Sequence, residues 1–139
     1  LNNYPTEKEI NKIQLTFSKK EINAIMDWKN HWYKRWKHLS QRNKILALQN
    51  LILRITTAIP EISNPKIKKS YLYAYIPTTK TILIDKNNPS IISTLHETGH
   101  FIRGPNELQV CRWSTQLFQQ CFPNTFKTLK WKGHLLVKK

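Results

Sequence analysis

The stretch STLHETGHFIRGPNEL, residues 93–108, sets Glu97 between two histidines four apart, His96 and His100, and adds Glu107 seven residues after the second. In a helix, positions four apart differ by about 40° around the axis and by one turn along it, so the two imidazoles stand side by side. Such a pair clamps Zn²⁺. Glu97 projects about 100° away around the axis and is placed to hold the attacking water rather than the ion. Zinc polarises the scissile carbonyl and acidifies water, while a carboxylate takes the proton and later returns it to the leaving amine. The chemistry expected is hydrolysis of a peptide bond.

Two histidines do not complete a catalytic zinc site, which usually has three protein ligands and an open position. Ten residues after His96, where a third histidine would mark the metzincin pattern, stands Asn106. Glu107 is the better candidate, because a chain break at Gly104-Pro105 lets the first turn of the next helix face the last turn of the previous one. His134 and Asp85 are weaker alternatives. With five histidines and eight acids in 139 residues, a chance His-Glu-x-x-His has a probability of roughly 1%. An exposed polar helix face is therefore the weaker reading. Gly99, inside the same helix, costs about 1 kcal/mol against alanine, which points to close packing by another helix.

The elements that must position these residues can be read from caps and periodicity. Ser18 and Glu21 form a capping-box pattern, followed by Ile22, Ile25, Met26, Trp32, Tyr33 and Trp36 at helical spacing. A second helix starts at Ser40 and carries Ile45, Leu48, Leu51, Ile52, Ile55 and Ile59 until Pro60. Residues 61–70 read as a loop. YLYAYIP and TILID, around the turn-prone PTTK, predict a hairpin. Ser90 begins the helix of the histidine pair, which should stop at Gly104-Pro105, and another helix runs roughly from Asn106 to Cys121. The C-terminal WKGHLLVKK is an edge strand or a basic tail.

LHETGH followed by Glu107, Val110, Cys111, Trp113, Ser114, Leu117 and Phe118 resembles the gluzincin-type small zinc peptidases that include phage-repressor-cleaving antirepressors and radiation-response regulators. The resemblance spans roughly residues 71–123. It implies that His96, His100 and Glu107 bind zinc, that Glu97 is the base, and that TILID is an edge strand pairing with an extended substrate. The interval from His100 to Glu107 is shorter than is usual in that family. Cys111 stands where the family carries Asn or Asp, and is expected to support the ligands from behind without coordinating.

Bulk properties bound the setting. A length of 139 residues fits one compact domain, with a helical, basic part over 1–60 and the hairpin, histidine helix and Glu helix over 71–123. Lys and Arg number 23 against 8 acids, a net charge of +15, which favours nucleic acid or an acidic protein as a neighbour. Trp28, Trp32 and Trp36 interleave with Lys29, Lys34, Arg35 and Lys37. Core packing of the tryptophans is the stronger reading there, and a nucleic-acid or acidic-partner surface the weaker one. His31 and His38 read as surface residues of this helix. No apolar run approaches the roughly 20 residues of a membrane span, and no signal-peptide pattern occurs. Cys111 and Cys121 on one helix lie about 15 Å apart along its axis, too far to bridge each other. An intracellular, cytoplasmic setting is expected.

Together these observations predict an α+β zincin-like domain acting as a small zinc-dependent peptidase on a protein or peptide substrate. The rival is a non-catalytic basic interaction protein that retains the scaffold, associated with nucleic acid or a large assembly.

Overall fold

The structure, a computed structural model, describes residues 5–132 and 135–139. It is a mixed α+β chain. In order come α1 (Glu7–Asn11), α2 (Lys19–Trp32), a 3₁₀ turn (Tyr33–His38), α3 (Gln41–Thr57), β1 (Lys66–Ser70), β2 (Ala74–Ile76), β3 (Thr81–Asp85), α4 (Ile91–Arg103), α5 (Glu107–Cys121), α6 (Pro123–Phe126), β4 (Leu129–Lys132) and β5 (Leu135–Lys138). No helix among the described residues is long and apolar enough to cross a membrane.

The four long helices start where their caps place them. The side chains of Ser18, Ser40, Ser90 and Asn106 accept the backbone N–H of Glu21, Asn43, Ser93 and Gln109, each satisfying a donor that the first turn leaves open. The first aromatic helix is shorter than its periodicity suggests. From Tyr33 the chain tightens into a 3₁₀ turn, whose period of three keeps Tyr33 and Trp36 on one side. Both still pack on the core, with Trp36 edge-on to Trp28 at 5.9 Å between ring centroids. α3 ends at Thr57, so Ile59 lies beyond the helix.

The sheet departs from expectation in two ways. Residues 66–70, read as loop, form β1, which pairs in parallel with β3, while β2 pairs with β3 antiparallel, giving the order β1-β3-β2. TILID is thus the central strand and not an edge. Burial explains this: Ile82 and Ile84 of β3 are fully buried, each worth about 1.5–3 kcal/mol, whereas β1 offers a single partly buried apolar residue, Ile67, among exposed lysines. Lysines of this kind blunt an exposed strand edge and hide it from a hydrophobicity reading. The other edge is β2, shorter than YLYAYIP suggested; Tyr71 and Leu72 precede it on the surface. The C-terminal strands β4 and β5 pair with each other antiparallel.

Trp28, Leu48, Leu51, Ile55, Ile82, Leu95, Trp113 and Leu117 belong to one core joining α2, α3, β3, α4 and α5. α5 is held from its far side too: Arg112, nearly buried, donates to the carbonyls of Glu9 and Ile10 at the end of α1. Against α4 the approach is close at Gly99, as the sequence suggested. A Cβ there would lie 3.0 Å from Val110 Cγ1 and 3.1 Å from Trp113 Cε3. Gly99→Ala is therefore expected to lower stability by about 1 kcal/mol, since overpacking of about 1–3 kcal/mol outweighs the gain in helix propensity of about 1 kcal/mol. Urea unfolding measures it; an unchanged or higher midpoint would mean the two helices separate freely.

Candidate metal centre

The site is made by two helix turns that face each other across a single reversed residue. α4 carries His96 and His100 on adjacent turns, with ring centroids 4.9 Å apart. It ends at Gly104, whose φ of 96° and ψ of −163° lie in a region open essentially to glycine alone. That reversal, with the α5 start at Asn106, brings Glu107 back over the histidines. Its Oε1 lies 2.6 Å from His100 Nε2 and its Oε2 3.2 Å from His96 Nε2.

Gly104 also orients a ring. Its carbonyl oxygen stands 3.0 Å from His100 Nδ1, and because a carbonyl only accepts, Nδ1 carries the proton and Nε2 is turned toward Glu107. A ring nitrogen lone pair and a carboxylate oxygen at 2.6 Å require a positive charge between them, either a proton or a cation. Two imidazoles and a carboxylate, one imidazole already held by a backbone carbonyl, are a donor set that suits Zn²⁺. The residues present therefore fit the ion.

Cys111 touches both neighbouring candidate ligands. One turn after Glu107 on α5, its Sγ is 3.9 Å from His96 Nδ1 and 3.7 Å from Glu107 Oε2. One donor atom each from His96, Glu107 and Cys111 fall within 4.8 Å of one another. Burial is the largest influence on the thiol, followed by the charge of Glu107, and together they push it up to about 12. Cys121, at the far end of α5, is free as well, and burial pushes its thiol up to about 11.

Glu97 occupies the boundary between two openings. On one side a cavity of about 280 Å³ is lined by His96, Glu107, Cys111, Ser114 and Thr115. On the other a cleft of about 620 Å³ runs past His100 and Phe101 to Ala74 and Tyr75 of β2. Glu97 lines both. Burial raises its carboxyl to about 7, with His100 pulling down and Glu107 pushing up.

Of the other candidates, Asp85 is used elsewhere, its Oδ1 accepting the Asn87 N–H in the turn after β3. His134 lies outside the described residues. Lys34, Arg35 and Lys37 are exposed, as are His31 and His38. Lys29 is engaged inside the molecule, donating to the Cys121 carbonyl at 2.7 Å and lying over the Phe122 ring.

Tyr73 escaped the sequence reading. It lines both openings, donates to the Asn88 carbonyl and accepts the Ser90 N–H, which pins the start of α4. Burial raises its hydroxyl to about 12. No local pattern marks it, because its partners lie 15 and 17 residues away. Leu136 of β5, which walls the smaller cavity, is equally invisible to spacing. Comparison with protein-family models, with curated proteins and with solved structures finds no match to this chain.

Proposed function

We propose that the chain is a small zinc-dependent peptidase of zincin-like build, cleaving peptide bonds in a protein substrate. The observation that carries this reading is the Glu107 carboxylate set between the Nε2 atoms of His96 and His100, with Glu97 beside them in an open cleft. His96, His100 and Glu107 would hold the ion. Zinc, when bound, supplies Lewis acidity toward a carbonyl and acidifies water.

The protein's own groups do the rest. Glu97 takes a proton from the attacking water and passes it to the leaving amine. The Gly104 carbonyl keeps the His100 ring in one tautomer and orientation. An extended substrate has a strand to pair with, although it differs from the one first expected: β2 ends the three-stranded sheet opposite β1, and its residues border the cleft next to Glu97 and His100. Exposed Lys34, Arg35 and Lys37, with a net charge of +15, favour acidic proteins or nucleic acid as neighbours.

One observation favours the rival, a non-catalytic interaction protein: the Cys111 sulfur stands among the donors, and four protein ligands close a zinc site. Metal analysis combined with cleavage separates the two. Purified protein is expected to hold about one zinc per chain and to cleave an unfolded protein substrate, with cleavage lost on chelation and restored by Zn²⁺. Stoichiometric zinc without chelator-sensitive cleavage, or protein that holds no zinc at all, would support the rival and remove the peptidase reading.

A further inference from the structure

We infer that Cys111 is a fourth, displaceable ligand of the metal, its sulfur occupying the position that water or substrate must take; the inference rests on the zinc reading above. The placement of the donors leads to it. His96 and His100 are an i, i+4 pair on α4, and Glu107 and Cys111 are an i, i+4 pair on the facing α5. Across one helix contact these pairs bring His96, Glu107 and Cys111 into one group of donors, with His100 Nε2 reaching the same Glu107 carboxylate at 2.6 Å. A tetrahedral ion with bonds of about 2.0–2.1 Å to nitrogen and oxygen and about 2.3 Å to sulfur spaces its ligands by roughly 3.3–3.6 Å. His96, Glu107 and Cys111 already lie within 4.8 Å of one another, with the sulfur 3.7 Å from a Glu107 oxygen, so side-chain rotation alone can close the remaining gap.

Displacement follows from the space beside the sulfur. Cys111 lines the cavity of about 280 Å³ together with Ser114 and Thr115, and rotation about its Cα–Cβ bond can swing Sγ away from the ion without moving α5. Coordination needs no oxidant: the S–H bond breaks heterolytically, the proton leaves to solvent, and the sulfur lone pair forms the bond to the metal. When a stronger or bidentate oxygen ligand enters, the metal–sulfur bond breaks and the thiolate takes a proton back. The outcome is a site that is closed at rest and opens for substrate.

The test uses Co²⁺ as a coloured substitute on the full chain. Wild-type protein and Cys121→Ser should both show a near-ultraviolet sulfur-to-cobalt charge-transfer band, and Cys111→Ser and Cys111→Ala should both lose it while keeping visible bands of bound cobalt. Saturating acetohydroxamate, a bidentate oxygen ligand, should remove the band from wild type. Bound cobalt with no sulfur band would overturn this inference and leave the peptidase reading standing. A band that persists under acetohydroxamate would make the sulfur a fixed ligand and overturn its displacement. If cobalt and zinc both fail to bind, the peptidase reading falls together with the inference.

Discussion

Glu97→Gln is expected to keep zinc at the wild-type level and to lower the rate of peptide cleavage by about 10²–10⁴-fold, the usual share of a positioned acid–base group. The substitution preserves shape and hydrogen bonding but removes the proton acceptor. The site geometry makes the separation clean, because Glu97 faces the cleft and the cavity while the histidine nitrogens meet Glu107. Wild-type rates in the variant would remove Glu97 from the mechanism. A pH signature accompanies the rate. Burial raises the Glu97 carboxyl from 4.5 to about 7 in the metal-free protein, so the folded state holds a proton that the unfolded chain gives up. The stability this contributes is complete below the unfolded value and is lost as pH rises through about 7. Metal-free Glu97→Gln should show a flatter stability profile across that interval. A bound dication pulls the same carboxyl downward, so cleavage by the zinc form should rise with pH along a limb that lies lower.

The second large effect concerns the ion itself. The double replacement of His96 and His100 by alanine should abolish stoichiometric zinc, because it leaves at most a carboxylate and a thiol from α5. Glu107→Ala should weaken zinc strongly too, since Glu107 touches both histidines. Metal content after dialysis against trace chelator reads both. Full zinc retention by the double variant would refute the assignment of the site. Circular dichroism guards against trivial unfolding, and the structure gives reason to expect a folded variant: both histidines are partly exposed at the rim of the core, with 24% and 14% of their side chains accessible.

Local rules read much of this molecule correctly. The helix starts at Ser18, Ser40, Ser90 and Asn106 depend on a side chain reaching three residues along the chain, and the stop at Gly104 on a single residue's conformational freedom. Spacing alone put His96 and His100 on one face, and Gly99 announced the helix packed against it. The strands were harder. β1 carries one apolar residue, Ile67, among lysines, so no alternation betrays it, and its partner β3 starts 15 residues further along the sequence.

What the sequence by itself determined, then, is which short-range pairs form: the capped helices, the i, i+4 histidines on α4, and the i, i+4 pair of Glu107 and Cys111 on α5. Only the tertiary structure decided how the two pairs meet. That depends on the close approach of α4 and α5 at Gly99, on the positive φ of Gly104, and on the carbonyl that turns the His100 ring toward Glu107. It also brought the Cys111 sulfur within 4.8 Å of His96 and Glu107 donor atoms, and made β2 the strand beside the cleft. The physical reason is range: a cap or a helical repeat is settled within a few residues, whereas strand order and donor convergence follow from burying Ile82, Ile84, Leu95 and Trp113 in one core.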